Sequence, residues 1–151
     1  MAEEIFIAST ENLKDLKKQR KRICALVNRA IREKKDADLT SLTKVYALLY
    51  SAYVETSFLK LIHTPKAFTE SEIMQIMAEH NLEEKWVKCV NLAFNRLNTT
   101  NLGEVANKKQ TLNRLMQEYI IKPSLIRNKV AHGQWIYCLN SDCTKINQNT
   151  T

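Results

Sequence analysis

Residues 40–63 read TSLTKVYALLYSAYVETSFLKLIH. Leu42, Val45, Tyr46, Leu48, Leu49, Tyr53, Phe58, Leu59, Leu61 and Ile62 fall on most sides of a helix drawn through this stretch. A helix that is apolar nearly all round belongs in the middle of a bundle, because no face of it can be left to water without loss. Pro65 marks its end. Glu55 and Lys60 interrupt the run, so it falls short of a membrane span.

The neighbouring segments supply the layers around it. Upstream, about 12–34, Leu13, Leu16, Ile23, Val27, Ala30 and Ile31 form one stripe at helical spacing. Asp36-Ala37-Asp38 then breaks the pattern, placing the start of the central helix near Thr40. Downstream, Thr69-Glu70-Ser71-Glu72 has the form of a capping box and opens a short helix to about His80. A further helix at about 82–97 presents Trp86, Val90, Phe94 and Leu97 to the core. The next carries Leu112, Leu115, Met116, Tyr119 and Ile120. Pro123 either starts a new helix or kinks a continuing one, and Gly133 suits a left-handed cap just after His132. The expected fold class is all-α, a bundle of about five helices. A helical domain over 1–137 precedes a polar, irregular or extended tail over 138–151, with a strand or hairpin expected around Trp135-Ile136-Tyr137.

Composition agrees with this reading. Two glycines and two prolines in 151 residues are too few for the turns of an all-β chain, and 44% apolar residues suffice for a core. Lys and Arg total 23 against 16 Asp and Glu, a net +7 that suits a polyanionic partner. On the first helix, Lys14, Lys17, Lys18, Lys21 and Arg22 oppose the apolar stripe, as a solvated surface or as a phosphate-facing one in which Lys17 and Lys21 bind RNA.

The four cysteines make no C-x-x-C pair and no zinc-ligand spacing with histidine. Cys24 and Cys89 read as reduced core residues, which favours a reducing, cytoplasmic setting, while Cys138 and Cys143 leave a disulfide open. The acidic start MAEEIFIAST lacks the features of a signal peptide. No metal, cofactor or membrane partner is expected.

The chemistry concentrates in Arg127-Asn128-Lys129-Val130-Ala131-His132. Asn128 and His132 are four apart and share a helical face. Arg127 stands five before His132, an offset of roughly 140° at 3.6 residues per turn, so one helix does not bring the two together. A second copy across a two-fold axis would complete the group. Histidine exchanges protons near neutral pH, and arginine holds a phosphate bidentately while charge builds on it. That pairing suits RNA cleavage by the adjacent 2′-hydroxyl. No cluster of carboxylates suggests a two-metal nuclease.

The string Arg127 to Gly133 resembles the R-x4-6-H motif of the HEPN superfamily, in its form with Asn directly after the Arg. The resemblance in organisation spans roughly residues 12–135. It implies a helical bundle dimerising through the motif helices, and a metal-independent ribonuclease of toxin–antitoxin, abortive-infection or related defence systems. An antitoxin or defence-complex partner would then control it. Arg127 and His132 become the catalytic pair and Asn128 their support; Lys129, inside the motif, is a further candidate contact to RNA. Where some members carry a Tyr two residues after the His, this chain has Gln134.

Glu55 shares a face with Leu48, Ala52, Leu59 and Ile62. It either bonds Arg127 or His132 and orients the site, or reaches solvent at the edge of that face. Trp135 follows the motif and either stacks on RNA bases or packs the tail onto the bundle. His63 and His80 read as polar helix ends, and Trp86 and Phe94 as packing. A non-catalytic dimerisation, nucleotide- or partner-binding module is the competing reading. A basic DNA-binding protein ranks last, since no helix-turn-helix is evident.

Overall fold

The computed structural model describes residues 2–97 and 101–134, together with Ile136 and Lys145. Among these residues all regular structure is helical. The long helices α1 (Ala2–Arg32) and α2 (Asp36–Ile62) form an antiparallel hairpin, the most extensive packing in the molecule. Two shorter helices follow, α3 (Glu70–Met77) and α4 (Leu82–Asn95). A final rod runs without a break through α5 (Leu102–Met116), a π-turn (Gln117–Ile121) and α6 (Lys122–Ala131). No described helix is long and apolar enough to cross a membrane.

Two starts lie earlier than the sequence suggested. Helix α1 begins at Ala2 rather than near Asn12, with Glu3 and Glu4 in its first turn, where carboxylates favour the positive end of the dipole. Helix α2 begins at Asp36, so the Asp36-Ala37-Asp38 break is instead an acidic first turn. Between them the chain reverses at Lys34, in the left-handed region at φ 54°. Lys35 N–H donates to the Ala30 carbonyl at 3.0 Å and Lys34 N–H to Ile31 at 3.2 Å, the paired bonds of a Schellman motif. Ile31 sits at that end and is 55% exposed, so it does not join the core with Leu13 and Ala30.

Helix α2 is central, as its all-round apolarity requires. Its Tyr53 ring lies under the Arg20 guanidinium of α1 at 4.9 Å, and its Lys60 ammonium lies 5.3 Å from the Phe6 ring. The other side of α2 meets the rest of the bundle. Phe58 and Ile62 join Ile76 of α3 and Cys89 of α4 in the buried core, with Leu59, Phe68, Ile73, Trp86 and Leu92 packed around them. Each fully buried side chain of this size contributes about 1.5–3 kcal/mol. Phe58 and Trp86 stack obliquely, ring centres 4.8 Å apart. Burial also pushes the Cys89 thiol up to about 11, so this cysteine is a packing group.

The capping box forms as written: Thr69 accepts from Glu72 N–H, and Glu72 accepts from Thr69 N–H at 2.8 Å. Arg96 bonds the Ala67 carbonyl and Glu72, and covers the Phe68 ring at 5.1 Å. It thereby fastens the end of α4 to the start of α3. Helix α4 stops at Asn95, so Leu97 lies past the cap and is 53% exposed rather than in the core.

Pro123 explains the π-turn. Proline has no N–H to give the carbonyl four residues back, and its ring presses on that turn. The helix widens instead, and Lys122 N–H donates to Gln117 five residues earlier. The Tyr119 carbonyl, which Pro123 leaves without its helical donor, accepts from the Tyr50 hydroxyl of α2 at 2.7 Å. Of the two readings of Pro123, the continuing helix is therefore the one observed.

Candidate functional site

Helix α6 packs on α2 and brings Arg127 against it. Arg127 Nε donates to Ser51 Oγ at 2.9 Å, and Nη2 bonds the Glu55 carboxylate. Ser51 Oγ in turn donates to Glu55 Oε1 at 3.3 Å. Ser51 and Glu55 are four apart, one turn of α2, so guanidinium, hydroxyl and carboxylate close a small ring of bonds. Arg127 and Glu55 keep 30% and 45% of their side-chain surface exposed. The pair is therefore water-screened and weakly stabilising, but it fixes where the guanidinium points.

Asn128 and His132 lie on the outer surface of α6, both exposed. His132 caps the helix, its N–H donating to the Asn128 carbonyl at 3.0 Å. Gly133 follows at φ 75°, and Gln134 N–H donates to Lys129 while Gly133 N–H donates to Val130. This second Schellman motif halts the helix directly after the histidine. Within one chain, then, Arg127 is anchored inward on α2 while His132 stands at the exposed end. A single chain does not assemble the two into one site.

The other candidates are dispersed. Lys129 is half-buried on α6. Lys17 and Lys21 are exposed on α1. Helix α1 packs on the side of α2 that carries Tyr53, and Ser51 and Glu55 stand roughly 160° round from that residue. The central helix therefore separates the basic stripe from Arg127. Trp135, Tyr137, Cys138 and Cys143, with the proposed hairpin, disulfide and most of the tail domain, lie outside the described residues.

Sequence reasoning missed what surrounds Arg127. The guanidinium and Glu55 border a cleft of about 340 Å³ between the second half of α2 and the α3–α4 junction, where His80 and Lys85 also reach it. Those two residues carry no sequence pattern linking them to Arg127; only the packing of α4 on α2 does so. Among the described residues, no three His, Cys, Asp or Glu side chains gather as metal ligands. Comparison with protein-family models, with curated proteins and with solved structures finds no match for this chain.

Proposed function

We propose that this protein is a metal-independent endoribonuclease whose site forms at a homodimer interface from Arg127 and His132, supported by Asn128. The resemblance of the motif to that of HEPN domains supports a role among the nucleases of toxin–antitoxin, abortive-infection or related defence systems. In the proposed step, the 2′-hydroxyl attacks the adjacent phosphorus and the P–O5′ bond breaks. Products are a 2′,3′-cyclic phosphate and a free 5′-hydroxyl. His132 takes the proton from the 2′-hydroxyl or gives one to the departing 5′-oxygen, water completing the exchange, and Arg127 neutralises charge on the phosphoryl oxygens.

The observation that carries this reading is the anchoring of Arg127. Its Nε and Nη2 are occupied by Ser51 and Glu55, and its Nη1 has no partner among the described residues. A guanidinium held on one edge and open on another is preorganised for a phosphate. Dimerisation is supported by the large apolar side chains the rod leaves uncovered, among them Tyr119 at 55% and Ile126 at 59% exposed. The basic excess of +7 favours RNA as partner.

The test is purified full-length chain on total RNA with excess chelator. Cleavage should persist, and Arg127→Ala or His132→Ala should slow it by about 100-fold or more. Loss of cleavage with chelator, or full activity in both variants, would remove this mechanism.

The second reading, a non-catalytic binding module, draws on the same ion pair, since an arginine tied to two side chains of a neighbouring helix also serves architecture. It predicts that His132→Ala lowers stability and that no RNA is ever cut.

A further inference from the structure

The cleft beside Arg127 is lined by both apolar and charged side chains. Leu59 of α2, with Met77 and Leu82 from the α3–α4 junction, supply its apolar surface, while Phe58 is buried in the core. His80, Lys85 and Arg127 supply the polar rim. The carboxylate in the lining, Glu55, is already bound to Arg127. Glu79 pairs with Lys88, while Glu84 accepts from His80 N–H and from Asn81 Nδ2, both uncharged donors, and so keeps its charge beside the cleft. The Lys85 ammonium and the His80 ring have no ion pair or side-chain hydrogen bond among the described residues. Lys85 is thus a lining cation without an ion-pair partner among the described residues. The larger cleft of about 470 Å³ at the α1–α2 turn is different, because there Arg29, Glu33 and Lys35 already pair with one another.

Size and lining together select a ligand class. About 340 Å³ lies at the small end of ligand pockets and suits one nucleotide. Apolar surface close to cationic side chains suits a base and a phosphate held together. We infer that this cleft holds one phosphate-bearing nucleotide, with Lys85, His80 and the open edge of Arg127 on the phosphate and Leu59, Met77 and Leu82 against the base. Resting on the ribonuclease reading, this makes it the subsite for a nucleotide of the RNA strand flanking the scissile bond. The strand then approaches Arg127 along the α3–α4 junction rather than along the basic face of α1.

Titration of the full-length chain with adenosine 5′-monophosphate, adenosine and inorganic phosphate tests this by calorimetry. The monophosphate should saturate, with adenosine and phosphate each at least about tenfold weaker. Lys85→Ala should weaken the monophosphate about tenfold, Lys85→Arg should restore most of that loss, and Lys108→Ala on α5 should change nothing. The inference is overturned by no saturation up to about 10 mM, by equal affinity for adenosine and its monophosphate, by phosphate alone binding as well as the nucleotide, or by unchanged affinity in both Lys85→Ala and His80→Ala. The two readings fail separately. If RNA is cut but Lys85→Ala alters neither KM nor nucleotide affinity, the cleft assignment falls and the ribonuclease stands. If the nucleotide binds through Lys85 and no RNA is cut, the converse holds.

Discussion

Arg127 and Glu55 are 72 positions apart in the chain and joined in an ion pair across the α2–α6 contact. Their exposure makes the pair a poor source of stability and a good source of orientation. Glu55→Gln should therefore lower unfolding free energy by about 1 kcal/mol or less. Under the ribonuclease reading it should reduce cleavage by more than about tenfold, because the released guanidinium samples many directions. Denaturant melts beside single-turnover cleavage read the two effects apart. A large stability loss with unchanged cleavage would make the pair purely architectural.

Tyr50 donates to the carbonyl that Pro123 leaves without its helical partner. Tyr50→Phe should destabilise by about 0.5–1.5 kcal/mol, the net worth of such a bond. Pro123→Ala restores the missing N–H, and in that background Tyr50→Phe should cost less. Chemical denaturation of the four proteins of this cycle measures the coupling, and strict additivity would refute the link.

Lys34 and Gly133 occupy equivalent places in two Schellman motifs, one with a side chain in a left-handed conformation and one without. Opposite signs follow. Lys34→Gly should stabilise by about 0.5–1 kcal/mol. Gly133→Ala should destabilise by about 1 kcal/mol through backbone strain alone, since an added Cβ at Gly133 meets no atom within 4 Å. Thermal melts check both.

Glu33 bonds Lys35 and Arg29, which hold its carboxyl down from its ordinary value near 4.5 to about 2. A depressed folded-state pKa adds stability above the unfolded value and loses it as pH falls through the folded one. The α1–α2 turn should thus loosen between about pH 4.5 and 2, and Glu33→Gln should flatten that part of the stability–pH curve. Melts at about pH 7, 4 and 2.5 make the comparison. An identical slope in both proteins would contradict it.

The sequence announced the helices through physics that acts locally. All-round apolarity marked α2 as central, Thr69 and Glu72 wrote out their own capping box, and Gly133 marked the end of α6. It misjudged the starts of α1 and α2, because acidic first turns resemble polar linkers when no packing partner is in view. The candidate site was legible only in part. Glu55 was noticeable as a carboxylate on an apolar face, yet nothing in its neighbourhood chose between Arg127 and solvent. Ser51 gave no signal at all, and His80 looked like any polar helix end. These groups meet through helix packing, and no spacing along the chain encodes that.

The widened turn at Gln117–Ile121 has a consequence for how this chain can vary. A helix advances about 100° per residue, so one residue more or less ahead of α6 would swing everything after it by that angle. The wide turn, holding one residue more than an α-helical turn, sets the bearing of Arg127 toward Ser51 and Glu55. Aim and chemistry are therefore written in different places: a length change of one residue upstream would redirect the site while leaving each of its side chains intact.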